Sequence, residues 1–123
     1  MKFNEQNFNK NSNIIKSYSK NSIKVQNKEY NYNVIVPPEN KITKCKININ
    51  SISHEYIIKN IEDNINFVII ASNNTGNVDK TPIILELNNR DIGIEFMNVA
   101  SACSSHNILL AENRNFISFF IFN

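Results

Sequence analysis

The chain has 123 residues and a formal net charge of +2, which fits one domain with a single modest core. Its two Cys lack C-x-x-C spacing, which argues against a disulfide scaffold or a zinc ribbon, and no apolar run reaches membrane-spanning length. Asn, Ile and Lys number 25, 21 and 11, an excess typical of AT-rich genomes, so abundant Asn alone does not indicate a binding site. With no signal-peptide pattern either, we expect a protein of a reducing compartment with free thiols.

Residues 1–21 form a polar, basic arm that we expect to be mobile. Residues 1–28 hold six Lys and one Glu, whereas the rest of the chain holds seven basic and ten acidic residues. Because these Lys are widely spaced and lack Arg or aromatic partners, a solvated tail is favoured over binding to nucleic acid or an anionic membrane surface. We expect one domain over residues 22–123, and little change in thermal midpoint when residues 1–20 are deleted.

Alternating apolar residues predict an N-terminal β-hairpin. Residues 23–25 alternate, a turn follows at residues 27–28, and Tyr and Val alternate over residues 30–36 up to a stop at Pro37. Residues 45–49 show the same alternation and predict one more short strand.

The middle of the chain predicts two helices around a buried strand. Ser53 is a typical N-cap residue and precedes a helical apolar pattern. The continuous apolar run Phe67–Ala71 is typical of a strand that is covered on both faces. After a polar loop, Thr81 as N-cap and Pro82 as the first helical residue predict a second helix.

The last third predicts strand, helix and strand. Residues 92–97 form the first strand, Asn98 caps the helix, and Asn113 ends it in a left-handed conformation. Residues 116–122 carry apolar side chains at both alternating sets of positions, so both faces of this strand are apolar, as expected for the central strand of a sheet. Strands that alternate with helices after a hairpin indicate an α/β domain with a mixed sheet.

Residues 91–114 are the most distinctive part of the chain. They resemble the pattern G-I-G-V-E-x-M-D-T-x-x-A-x-R-T-Y-N-x-L-x-x-E-x-R, which precedes an apolar strand in the family of mitochondrial complex I (NADH:ubiquinone oxidoreductase) assembly factor 3 and its uncharacterised bacterial and archaeal relatives. The resemblance implies a three-layer fold, with a mixed five-stranded sheet flanked by helices plus an N-terminal β-hairpin. The residues that match the pattern in register are Ile92, Gly93, Glu95, Met97, Ala102, Asn107, Leu109, Glu112 and Arg114.

Several positions depart from the family pattern. Asp91 replaces its first Gly, His106 replaces its Tyr, and Asn98 with Val99 replaces Asp-Thr. A Gly-Thr-Gly loop after the earlier strand corresponds here to residues 71–73, Ala-Ser-Asn. The chain is therefore a divergent member, and a phosphate-cradling loop is only weakly indicated.

Two pairs of residues carry chemistry that could be catalytic. Cys103 and His106 lie three apart on one helix and could form a nucleophile–base pair or part of a metal site, but a buried structural role is favoured. Glu112 and Arg114 are expected to form a structural ion pair that fixes the exit into the last strand. We expect no catalytic, cofactor-binding or metal-ligating residue and no cofactor.

A polar rim is the remaining candidate site. If the strands at residues 67–71 and 92–97 run parallel, their C-terminal ends meet at one edge of the sheet. A mid-helix amide at Asn107 needs a partner, either a backbone carbonyl or a ligand. The candidate binding residues are Ser72, Asn73, Asn74, Asn98, Ser101 and Asn107.

Two functions of different kinds stay open. The resemblance implies a non-enzymatic protein-binding module whose partner is a respiratory complex subunit or assembly intermediate, in the cytoplasm or peripherally at the inner membrane, without membrane insertion. The alternative is a small-ligand-binding protein or enzyme that uses the crevice beside Ser72, Asn73 and Asn98. Nucleic-acid binding through the basic arm is the least favoured, and the sequence does not indicate an oligomeric state.

Overall fold

The chain folds into a five-stranded mixed sheet and a three-stranded antiparallel sheet in a computed structural model, which describes residues 8–123. The α/β class and the mixed five-stranded sheet agree with the sequence prediction. The helices are α1 (His54–Lys59), α2 (Lys80–Asn88) and α3 (Val99–Ala111), with a short 3₁₀ helix at Ile49–Ser51. The strands are β1 (Ile15–Ser19), β2 (Ser22–Val25), β3 (Lys28–Tyr30), β4 (Val34–Val36), β5 (Thr43–Lys44), β6 (Phe67–Ala71), β7 (Gly93–Met97) and β8 (Phe116–Phe120).

Strand β8 occupies the centre of the larger sheet, as its apolar sequence predicts. The strand order is β5-β4-β8-β6-β7, and all five residues of β8 are buried. β8 pairs parallel with β6 and antiparallel with β4. Phe116, Phe120 and Ile69 belong to the core on one face of the sheet, and Ile117 and Phe119 belong to the core on the other.

Helices α2 and α3 connect the parallel strands β6, β7 and β8. Helix α3 and the three-stranded sheet cover one face, because Val99, Ala102 and Ile23 share the core of Phe120. Helices α1 and α2 cover the other face, where Ile57 and Leu87 join the second core. The larger sheet is therefore buried on both sides.

The N-terminal hairpin is present as β2 and β3, and β1 extends it to three strands. Strand β1 starts seven residues before Ser22, where we expected the ordered domain to begin. Ile15 is buried in the core, and the side chains of Ser12 and Asn13 are buried as well. One core-facing Ile thus orders a polar stretch that has almost no apolar pattern. The expected mobility of residues 1–7 lies outside the described residues.

Three local predictions differ from the structure. The alternation of residues 30–36 does not form one strand, because β3 ends at Tyr30 and β4 crosses to the larger sheet. Residues 45–49 form no strand, since Asn48 caps the 3₁₀ helix instead. Helix α2 begins at Lys80 rather than after Thr81, because Pro is tolerated throughout a first turn, whose N–H groups have no intrahelical partner.

The predicted caps at Ser53 and Asn98 are confirmed, whereas the N-cap of α2 is Asp79 and not Thr81. The Ser53 side chain accepts a hydrogen bond from the Tyr56 N–H, and the Asn98 side chain accepts one from the Ser101 N–H. Asn113 follows α3 with a φ of 56°. Asp91 has a φ of 60°, which explains why a Gly would suit this turn before β7.

Candidate functional site

The polar rim forms at the C-terminal ends of β6 and β7, which run parallel in register. We use "rim" for Ser72, Asn73, Asn74, Asn98 and Ser101. The Val99 N–H donates to the Asn73 side-chain oxygen at 2.9 Å, which joins the loop after β6 to the start of α3. The Ser72 N–H donates to the Met97 carbonyl at 3.0 Å. The structure therefore brings together five of the six residues that the sequence analysis proposed for the rim, the exception being Asn107.

The chain itself occupies the side-chain oxygens of Ser72, Asn73 and Asn98. The Ser101 N–H donates to the Asn98 side-chain oxygen at 2.8 Å, and the Asn74 N–H donates to the Ser72 hydroxyl at 3.2 Å. The Asn73 amide also donates to the Lys20 carbonyl at 3.5 Å. The N-terminus of α3 thus has two of its N–H groups capped, so it offers an anion little unpaired positive charge.

Asn107 lies away from the rim and clamps α3 to β1. Its side-chain oxygen accepts from the Ile15 N–H at 2.9 Å, and its amide nitrogen donates to the Ile15 carbonyl at 2.9 Å. The Asn107 side chain therefore satisfies both the N–H and the carbonyl of Ile15, as an adjacent β-strand would. This partner is a strand backbone 92 residues away in sequence, which explains why an amide is tolerated in the middle of a helix.

His106 is fully buried between α3, β8 and the segment before β1. Its Nε2 lies 2.8 Å from the Asn13 carbonyl and its Nδ1 lies 2.8 Å from the Ser118 hydroxyl. Because a carbonyl only accepts, Nε2 carries the hydrogen and Nδ1 accepts from Ser118. Burial lowers the pKa of His106 to about 4, so the imidazole is neutral at pH 7.

Cys103 is buried on the same helix as His106. Burial raises the pKa of the Cys103 thiol to about 12, which keeps it protonated and weakly nucleophilic. Both side chains occupy core positions, as the preferred interpretation of the sequence expects. No cluster of three or more His, Cys, Asp or Glu that could hold a metal ion occurs within residues 8–123.

Glu112 and Arg114 lie close together at the end of α3. The Arg114 Nη1 is 3.6 Å from the Glu112 Oε1, and both side chains are about half exposed. An exposed pair of this kind contributes little to stability. The turn itself is held by backbone hydrogen bonds, including one from the Arg114 N–H to the Leu109 carbonyl at 3.1 Å.

A cleft of about 490 Å³ lies at the opposite end of the sheet from the rim, and the sequence did not indicate it. It forms between the segment after β4, the loop before β6 and the loop before β8. Only the antiparallel pairing of β4 with β8 brings these loops together, and no local pattern predicts that pairing. The charged side chains that line the cleft are of both signs, namely Glu39, Lys41, Glu62 and Arg114.

The family model described as "Protein of unknown function (DUF498/DUF598)" matches residues 15–121, from the first residue of β1 to just beyond β8. The chain belongs to this family. None of the curated proteins matches it in sequence.

Solved structures with low sequence identity share the fold. A crystal structure of a Bordetella parapertussis protein has a TM-score of 0.74 at 16% identity, covering 90% of this chain and 96% of that one. A Bordetella pertussis protein described as a Mth938-like domain has a TM-score of 0.66 at 14% identity, covering 89% and 85%. A Bartonella henselae protein described as an outer membrane protein has a TM-score of 0.67 at 18% identity, covering 90% and 95%.

The helices of residues 8–123 include none with the length and apolar character needed to cross a membrane. In this DUF498/DUF598 chain, the rim lies at one end of the larger sheet beside the edge strand β7, and the mixed-charge cleft lies at the other end.

Proposed function

We propose that this DUF498/DUF598 protein is a non-enzymatic protein-binding module that acts as a respiratory complex I assembly factor, and that the rim contacts its partner. The observation that carries the proposal is the internal bonding of the rim. Asn73, Asn98 and Ser72 each bind the chain's own backbone. A rim that recognises a small ligand keeps such groups available, whereas a preformed polar surface suits a protein partner.

The partner class rests on the sequence resemblance over residues 91–114. A subunit or assembly intermediate of a membrane respiratory complex would be met at the inner membrane from the cytoplasm. Two exposed rim side chains, Asn74 and Ser101, make no hydrogen bond to other residues within 8–123, so both are free to contact it. The alternative, a small-ligand or enzyme site at Ser72, Asn73 and Asn98, is less well supported because these side chains already have partners.

The test is affinity capture from detergent-solubilised membranes of the source organism, followed by mass spectrometry. The rim variant is Asn74→Lys with Ser101→Lys, which adds bulk and charge without breaking a hydrogen bond of the fold. The control is Asn64→Lys with Asn115→Lys, two exposed polar residues in the loops before β6 and β8, at the end of the sheet opposite the rim, that receive the same kind of change. We expect the rim variant to recover respiratory subunits about tenfold less well than the wild type and the control.

Two results contradict the proposal. If the wild type captures no respiratory subunit, the assembly-factor function is wrong. If the rim variant captures the same subunits as the wild type, the binding surface is not the rim. A urea titration of each variant shows that its fold is retained, since surface changes of this kind shift stability by only about 0.5 kcal/mol.

A further inference from the structure

Strand β7 is an open edge of the larger sheet. It is the last strand in the order β5-β4-β8-β6-β7, and its five residues pair with β6 without a register shift. It contains no Pro, no Lys and no bulge, which are the devices that usually protect such an edge from pairing with another chain.

The other sheet edges within residues 8–123 are protected. Strand β5 has only two residues, one of which is Lys44. Strand β1 has an irregular register between Ile15 and Ser17, and the Asn107 side chain forms hydrogen bonds with both backbone groups of Ile15. Strand β3 has three residues, and two of them are charged. Among these edges, β7 alone combines five residues with a regular register, and its one protective feature is the charge of Glu95.

The free hydrogen-bonding groups of β7 follow from its ladder with β6. The Gly93 N–H donates to the Asn66 carbonyl, and the Met97 carbonyl accepts from the Ser72 N–H. Alternate residues of a strand point to the same neighbour, so Gly93, Glu95 and Met97 face β6 and the backbones of Ile94 and Phe96 face outward. These two residues offer two N–H and two C=O groups.

The flanking residues Ile92 and Asn98 each have one of their two backbone groups already bonded within the chain. The Ile92 N–H already donates to the Leu87 carbonyl at 2.9 Å, and the Asn98 carbonyl accepts from the Ala102 N–H at 2.9 Å. An added strand that uses all four groups must therefore be centred opposite Glu95.

A second copy of the chain is a poor occupant of this edge. In a symmetric antiparallel pair centred on Glu95, the two Glu95 side chains face each other across about 5 Å, and like charges opposite each other destabilise a ladder. Glu95 is exposed and has no ion pair within residues 8–123. Lys80 lies over the Phe96 ring at 5.7 Å, on the α2 face of the sheet and not on the face of Glu95.

We propose that β7 accepts, by antiparallel strand addition, an extended segment of a different polypeptide with Lys or Arg opposite Glu95. Apolar side chains opposite Ile94 and Phe96 would extend the core on the α2 face, where both residues are only partly buried. The basic residue would lie on the other face and pair with the Glu95 carboxylate. This surface adjoins the rim but uses backbone groups of β7 and the Glu95 side chain, which the rim variant leaves unchanged, so the two proposals are tested separately.

The first test uses a variant of this protein to supply the basic strand that should add to wild-type β7. The Glu95→Lys variant has a basic residue at the centre of its own β7, so it should pair with wild-type β7 more tightly than either protein pairs with itself. We expect sedimentation velocity to give a dissociation constant about tenfold lower for the mixed pair than for either protein alone. The matched control is Asp63→Lys, the same charge change at an exposed loop residue, which should form no mixed dimer.

A peptide supplies the second readout. A nonapeptide of alternating Thr and Val with a central Lys should shift the wild-type amide resonances of residues 92–98 in an NMR titration. The same peptide with a central Glu should bind about tenfold more weakly. Either the mixed dimer or the Lys-selective peptide supports the proposal. It is overturned if neither forms, if both peptides bind equally, or if wild-type protein dimerises through β7 as tightly as the mixed pair.

Discussion

The buried imidazole of His106 should make the stability of this protein pH-dependent between pH 6.5 and 4. Burial lowers the pKa of His106 from 6.5 to about 4, while the unfolded chain keeps the ordinary value. In this range the unfolded state binds more protons than the folded state, so stability decreases as the pH falls. The contribution is fully present above pH 6.5 and is lost by about pH 4.

The magnitude follows from the difference between the two pKa values. A lowering from 6.5 to about 4 corresponds to about 3 kcal/mol of unfolding free energy. Protonation of Nδ1 would remove the acceptor for the Ser118 hydroxyl and place a charge beside the rings of Phe116 and Phe120. The cost of burying this charge is what lowers the pKa of His106, and the hydrogen bond from Nε2 to the Asn13 carbonyl offsets only part of that cost.

The assay is urea unfolding followed by circular dichroism at several pH values, for the wild type and His106→Gln. Subtracting one curve of unfolding free energy against pH from the other cancels the contribution of the carboxyl groups, which both proteins share. His54→Gln serves as the control, because His54 is the other His of the chain and its side chain is 32% exposed. We expect His106→Gln to lose the pH dependence above pH 4.5 and His54→Gln to keep it.

The reasoning is refuted if His106→Gln and the wild type lose the same stability between pH 6.5 and 4.5. If His106→Gln is too unstable to measure, NMR of the wild-type imidazole gives the answer directly. The Nε2–H tautomer should persist at pH 5, and titration of the folded-state ring near pH 6.5 would disprove the buried, neutral state.

Three further predictions concern stability. Phe120→Ala should cost about 3–5 kcal/mol in urea unfolding because its side chain is fully buried in the central strand, and a cost below about 1 kcal/mol would place it outside the core. Asn107→Ala should cost about 2 kcal/mol and speed hydrogen exchange at the Ile15 amide, since both backbone groups of Ile15 lose their partner; unchanged exchange would contradict the clamp. Deleting residues 1–20 should lower the thermal midpoint by about 10 °C or more, and an unchanged midpoint would restore the mobile-arm interpretation.

The parts of the fold that the sequence predicts well are those with local causes. The helix caps at Ser53 and Asn98 require only a side-chain oxygen near the next turn, and both are present. β8 carries apolar side chains on both faces because both faces are buried, and this pattern is visible in the sequence without knowing which strands pair with it. The rim was predicted for a similar reason, since two parallel strands with a connecting helix must end at the same edge.

The parts that the sequence misses depend on partners far along the chain. β1 is a polar segment, and what orders it is Ile15 in the core together with Asn107 and His106 on a helix more than 90 residues later. The cleft arises where β4 leaves the hairpin and joins β8. A short strand of β-branched residues has no local feature that tells which of two sheets it will enter.

Structural roles account for most of the residues that carry the family resemblance. A Cβ on Gly93 would lie 2.8 Å from the Phe67 Cδ1, so the Phe67 ring, which packs over this position from β6, leaves no room for a side chain. Asn107 clamps β1, and the turn that contains Arg114 is held largely by its backbone. Glu95 differs, because its carboxylate is exposed and has no ion-pair partner within residues 8–123.

An exposed carboxylate contributes little to a monomer, but at the centre of an open strand edge it decides what can pair there. It disfavours a second copy and favours a basic strand, so it protects the protein from self-association while leaving the edge available. The rim lies at the end of the same strand, since Asn98 follows Met97 directly. A partner that added a strand along β7 would thus reach the rim within one residue of the last ladder position.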